Sequence, residues 1–162
     1  MLYFSYGSNM SIRRIGRRIP SVRAVTVAKL PRHQLLFHKV GRDGSAKCDA
    51  AETPDTNAHV VGVVFDICAS GERALDRAEG LGRGYDIKTV SVESRDGQLI
   101  DVATYYATHI DASLKPFHWY KTHVLVGARE HRLPDPYVQF IEGIESISDP
   151  DSIRHRSELA IY

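Results

Sequence analysis

The run Val60-Val61-Gly62-Val63-Val64-Phe65-Asp66-Ile67 constrains this chain more than any other segment. Its residues are mostly β-branched or aromatic and almost continuously apolar, which predicts a strand from His59 to Ile67 buried on both faces. Strand patterns surround it. Leu2 to Tyr6, Val22 to Leu30, His33 to Val40 and Ala46 to Ala51 read as strands, with Pro31 and the Gly41–Gly44 turn as punctuation. Tyr85 to Ser94 and Leu99 to Thr108 alternate and are joined by a hairpin turn at Arg95-Asp96-Gly97-Gln98. Helical spacing occurs from Ser11 to Pro20, from Ser70 to Glu79, from Lys121 to Arg129 and from Pro136 to Ile147. Ser11 or Asn9 is the expected cap of the first helix and Ser70 that of the second, which Gly80, Gly82 and Gly84 terminate. Strands dominate early and helices late. The expectation is therefore a single α+β domain over residues 1–162, built on a small, strongly curved, mixed or antiparallel sheet or β-barrel with surrounding helices.

Composition narrows the function. The chain has 162 residues, enough for a core without disulfides or metal, and its formal charge is +1. That balance offers no general field for nucleic acid or an anionic membrane. Two cysteines, Cys48 and Cys68, lack CxxC spacing, and the eight histidines include no HxxxH pair, so neither a disulfide scaffold nor a metal site is expected. The first residues, MLYFSYGSNM, turn polar too soon for a signal peptide, and no apolar run approaches the length of a membrane span. A soluble, cytoplasmic protein without cofactor is the expectation.

Two segments carry chemistry. Tyr6-Gly7-Ser8-Asn9-Met10 joins a strand to a helix through small polar residues. Backbone N–H groups at such a turn can hold a carboxylate or an oxyanion without a cationic side chain. The turn lacks both GxGxxG and GK[ST], so it is neither a dinucleotide fingerprint nor a Walker loop. The second segment is Ala74-Leu75-Asp76-Arg77-Ala78-Glu79-Gly80, where a carboxylate ends a helix before a glycine-broken loop. Partial burial there would raise its pKa toward a range useful for proton transfer. Spacing alone does not choose among Glu72, Asp76 and Glu79.

Taken together, the segments resemble the γ-glutamylcyclotransferase family at places in the expected order. YFSYGSNM is similar to its N-terminal strand and loop, and FHKVGRDGSAKCDA to a central segment close to GxDGSGKxN. VVGVVFDI with ALDRAEG, then GYDIKTVSV, resemble the segments around its catalytic glutamate, and TYYAT, WYKTHVLVGAREHRLP and PYVQFIEGI cover the remainder. Ala46 and Asp49 depart from the Gly and Asn common at those positions. The resemblance implies a β-barrel-centred fold and cyclisation of a γ-glutamyl amino acid or peptide to 5-oxoproline, with release of the free amino acid. It implies Glu79 as general acid/base and Tyr6, Gly7, Ser8, Asn9 and Met10 as substrate-binding residues. It further implies that Tyr85, Tyr105 and Tyr120 border the cavity. The partner so implied is a small γ-glutamyl molecule, with a homodimer the one protein assembly left open.

Three rivals stand beside this reading. A γ-glutamylamine cyclotransferase would share the mechanism but release a different amine; relatives with that task tend to carry YGT-type loops, and those acting on glutathione FGYGS-like ones. A non-catalytic small-anion binding module would gain nothing from a second negative charge such as Glu79. Arg13-Arg14-Ile15-Gly16-Arg17-Arg18 could contact phosphates, although such a run is more commonly a solvated face. Cys48 with His38 as base is likewise weaker than a buried structural cysteine. Phe117 and Trp119 read as core or cavity wall, and the polar tail 148–162 carries no structural expectation.

Overall fold

A computed structural model describes all 162 residues. Its centre is a closed five-stranded barrel in the order β1 (Leu2–Ser5), β5 (His59–Asp66), β2 (Arg23–Pro31), β6 (Tyr85–Ser94) and β7 (Leu99–Ala107). Neighbours are antiparallel except at the closing seam, where β1 and β7 run parallel with Tyr3 opposite Ala103. Two further strands, β3 (His33–Val40) and β4 (Ala46–Glu52), pair as a separate antiparallel hairpin.

The apolar run becomes β5, with β1 on one side and β2 on the other, and its residues from Val60 to Phe65 are buried without exception. Gly62 is required for packing: a Cβ there would lie 2.4 Å from the Ser5 carbonyl oxygen and 2.7 Å from the Phe4 ring. The Phe4 ring thus packs over β5 at Gly62, and Phe65 meets the His131 ring edge-on.

Five helices surround the barrel: α1 (Ile12–Arg18), α2 (Ala69–Glu79), α3 (His118–Glu130), α4 (Asp135–Glu142) and α5 (Ser152–Leu159). Ser11 caps α1, its side chain accepting from Arg14 N–H. The cap of α2 is Cys68 rather than Ser70, and Gly80 ends it in the left-handed region at φ 72°. The third helix begins three residues before the expected Lys121, and the fourth stops at Glu142, short of Ile147. Ile147 instead forms a bridge with Phe117.

The polar tail folds. Asp151 caps α5 by accepting from Ile153 and Arg154 N–H, and α5 docks on α1 and α3. Glu158 pairs with Arg14 at 2.6 Å and with His123 at 3.0 Å, while the Tyr162 hydroxyl reaches Ser11 at 3.0 Å and His123 at 2.8 Å. No helix is long and apolar enough to cross a membrane.

A candidate active site at the mouth of the barrel

Strand β1 delivers Tyr6 and then a 3-10 turn, Ser8–Met10, which leads through Ser11 into α1. The N–H groups of Met10 and Ser11 close this turn onto the carbonyls of Gly7 and Ser8, whereas those of Gly7, Ser8 and Asn9 donate to no backbone acceptor. Gly7 has an ordinary φ of −116°, so space rather than backbone freedom explains the glycine. A Cβ would stand 3.1 Å from Cys48 Cβ and 3.4 Å from the Tyr120 hydroxyl.

Helix α2 ends on the other wall. There Asn9 Nδ2 donates to Glu79 Oε1, joining residues seventy apart in sequence. Asn9 Oδ1 accepts from Arg18 Nη1 at 2.6 Å, and the same guanidinium stands 3.9 Å from Glu79 Oε1. The Glu79 side chain is 16% exposed. Loss of water raises its pKa above the usual carboxylate value, and Arg18, Arg14 and Lys39 oppose that rise. Glu79 is thus a carboxyl group more basic than a solvated one but still within reach of cations.

Together these groups line a cavity of about 290 Å³ that opens to solvent, to which Tyr3, Ser5, Tyr6, Gly7, Ser8, Asn9, Glu79, Tyr85, Tyr105 and Tyr120 contribute. The tyrosines are held by the protein. Tyr6 donates to the Tyr105 carbonyl at 2.5 Å, Tyr85 to the Cys48 carbonyl at 2.5 Å, and Tyr105 to Asp76 Oδ1 at 2.5 Å. The Tyr120 hydroxyl accepts from Cys48 N–H at 3.0 Å. Burial pushes all four phenols well up, so they stay protonated and wall the cavity as neutral rings.

Met10 does not line this cavity. Its side chain is fully buried against α3, where Gly127 would place a Cβ 2.5 Å from Met10 Cβ, and its carbonyl accepts from His131 Nε2. Glu72 and Asp76 separate from Glu79: the first stands 3.5 Å from the N-terminal ammonium, the second accepts from Tyr105. Cys48 walls the cavity as a buried thiol pushed up to about 12 by burial, and His38 pairs with Asp49 at 2.8 Å instead. Asp49 also accepts from Ala107 N–H at 2.8 Å, tying the β3–β4 hairpin to the barrel. No group of three or more His, Cys, Asp or Glu residues is placed to hold a metal ion.

Several residues at the site had no distinct sequence signal. Tyr3 and Ser5 lie in an ordinary apolar strand. Arg18 belongs to the arginine run, which divides: Arg14 and Arg18 turn inward while Arg13 and Arg17 are exposed. Gly127 had a usable signal, because a glycine inside a helix costs about 1 kcal/mol and implies a packing reason.

Comparison with known proteins agrees with this architecture. Residues 59–141 match the model of the AIG2-like family. A mouse protein named gamma-glutamylcyclotransferase is 32% identical over 148 residues, covering 89% of this chain and 78% of the mouse protein. A human protein of the same name matches with the same identity and coverage. A solved structure named gamma-glutamyl cyclotransferase, 28% identical, superposes with a TM-score of 0.90 over 99% of this chain and 97% of the other. With relatives aligned along most of its length and a barrel that superposes from end to end, the chain belongs to the γ-glutamylcyclotransferase family.

Proposed function

We propose that this enzyme converts a γ-glutamyl amino acid or peptide into 5-oxoproline and a free amine-bearing product, with Glu79 as the proton shuttle. The observation that carries the reading is the meeting of Glu79 with the Gly7–Asn9 turn across Asn9, inside one tyrosine-walled cavity. The family's named relatives support the reaction class.

In a γ-glutamyl compound the α-nitrogen and the γ-carbonyl carbon close a five-membered ring, so the task is to hold the folded chain near attack geometry. Desolvated Glu79 takes a proton from the α-ammonium. The freed amine attacks the γ-carbonyl carbon, forming the new C–N bond and a tetrahedral oxyanion. Unpaired N–H groups of the Gly7–Asn9 turn are suited to receive that oxygen. Collapse breaks the original C–N bond as Glu79 returns the proton to the departing nitrogen, and the second proton of the ring nitrogen passes through the same carboxylate to the released amine, leaving the neutral lactam. The product pair has the atoms of the substrate, with no water consumed. Asn9 and Arg18 position the carboxylate, and the neutral tyrosines exclude competing water.

Incubation with a panel of γ-glutamyl amino acids, γ-glutamyl peptides and γ-glutamyl alkylamines, followed by mass detection of 5-oxoproline, tests this. Release from the amino acid or peptide substrates is expected. No 5-oxoproline from any of them overturns the reading.

A further inference from the structure

Beside the Glu79 cavity lies a larger open groove of about 980 Å³, sharing Ser8, Glu79, Tyr85 and Tyr120 with it. Six cationic side chains reach this groove: Arg14, Arg18, Lys39, Arg42, Lys47 and Arg154. Only Asp43, Glu79 and Glu158 line it with negative charge. The chain as a whole carries a formal +1, so this concentration is local.

Four of the cations are already engaged. Arg14 pairs with Glu158 at 2.6 Å, Lys47 with Asp43 at 2.8 Å and Arg154 with Asp149 at 2.5 Å. Arg18 belongs to Asn9 and Glu79. Lys39 and Arg42 remain, with no carboxylate within salt-bridge distance and no hydrogen bond to any protein group. Lys39 is the more unusual of the two. Its residue is 7% exposed, its Nζ sits 4.5 Å from the centre of the Tyr85 ring, and burial lowers its pKa. A buried ammonium with no carboxylate in direct contact is costly, and an arriving anion would offset that cost. Both residues come from the end of the β3–β4 hairpin, which stands outside the barrel and forms one bank of the groove.

We infer that this groove receives the half of the substrate that is released, and that Lys39 and Arg42 select released amines bearing two anionic groups, such as an acidic amino acid or an acidic peptide. The inference rests on the cyclotransferase reading and deepens it. The γ-carbonyl of the γ-glutamyl half must lie beside Glu79, and the remainder of the substrate then extends into the groove that opens from the same residues. A singly charged amino acid satisfies one free cation. An uncharged alkylamine satisfies neither and leaves the buried Lys39 without an anionic partner.

The test compares kcat/KM for γ-glutamyl-glutamate, γ-glutamyl-alanine and γ-glutamyl-butylamide in low and high salt. Preference for the dicarboxylate over the alanine compound by about tenfold is expected, because one charge-assisted contact is worth roughly that factor. Raised salt should narrow the gap. Arg42→Gln and Lys39→Gln should each lower the glutamate-to-butylamide ratio about tenfold. Equal kcat/KM for the glutamate and alanine compounds in the wild type overturns the inference. So does a Lys39→Gln variant that slows all three substrates alike, which would assign Lys39 to the γ-glutamyl half instead. Calorimetric titration of the same three compounds into Glu79→Gln protein reads the discrimination without turnover. Absence of 5-oxoproline from every compound would therefore count against the proposed reaction, while equal affinities would count against the groove.

Discussion

Glu72, Asp76 and Glu79 share one helix and similar local sequence, yet their surroundings differ sharply. The first lies near the chain's own N-terminal ammonium, the second anchors Tyr105, and the third ends in the tyrosine-walled cavity beside Asn9. Replacing Glu79 by Gln keeps the volume and the acceptor for Asn9 but removes the proton site. The rate of 5-oxoproline release should fall on the order of 10²–10⁴-fold, as expected for a general acid/base. Thermal unfolding should show an intact fold, with stability at neutral pH equal to or above the wild type. The sign follows from linkage: a carboxyl group whose folded pKa is raised costs stability once the pH is high enough to ionise it, and the amide has no such cost. A near-normal rate in this variant would transfer the role elsewhere. Arg18 acts in the opposite direction, because its positive charge lowers the Glu79 pKa against burial. In Arg18→Met the Glu79 carboxyl should therefore hold its proton to higher pH. The acid limb of the kcat/KM profile should move upward, and an unmoved or lower limb would show that Glu79 is not the group titrating.

Among the elements, α3 does more for the site than its sequence announces. Gly127 lets its backbone approach the 3-10 turn so closely that a Cβ would lie 2.5 Å from both Met10 Cβ and Ser11 N and 2.6 Å from the Met10 carbonyl carbon. Those neighbours are backbone or near-backbone atoms that cannot swing aside. Gly127→Ala should push the Gly7–Asn9 turn away from α2, lengthening the Asn9–Glu79 contact. A cost of about 1–3 kcal/mol is expected from overpacking, together with a loss of kcat although residue 127 does not touch the cavity. A variant as active and as stable as the wild type would show that the turn is not held by α3. Elements with strong local patterns were legible before the structure: His33 to Val40 and Tyr85 to Ser94 match observed strands at both ends, because alternation and flanking turns act within the segment. Helix α5 was not. Its docking depends on Arg14, Ser11 and His123, all distant in the chain, and its only local mark is the Asp151 cap before a run with no apolar face.

At the scale of the whole molecule, the candidate site has no existence apart from barrel closure. Its walls come from β1 and its following turn, from β4, from the end of α2, from β6 and β7, and from α3. Sequence could nominate the Gly7 turn and, separately, a carboxylate among Glu72, Asp76 and Glu79, and the family resemblance singled out Glu79 and joined the two. Strand order and the arrival of Lys39, Arg42 and Arg18 at the same mouth depend on contacts among distant segments, which local periodicity does not encode. Closure itself depends on β1, held antiparallel to β5 along its length and parallel to β7 at Tyr3, with Thr104 Oγ1 donating to the Phe4 carbonyl at 3.0 Å. At Gly62, Ala would meet the Ser5 carbonyl and the Phe4 ring, the residues that lead directly into Tyr6 and Gly7. Gly62→Ala should therefore destabilise the fold by about 1–3 kcal/mol, which for a domain of this size lowers Tm by roughly 2–4 °C per kcal/mol. In a urea titration of the wild type, loss of 5-oxoproline release, near-ultraviolet dichroism and far-ultraviolet dichroism should follow one transition, since no sub-structure contains a complete site. The variant should shift all three midpoints together. If activity disappears at a lower urea concentration than the secondary structure in the wild type, the mouth opens as a separate unit and barrel closure is not what holds Glu79 against the turn.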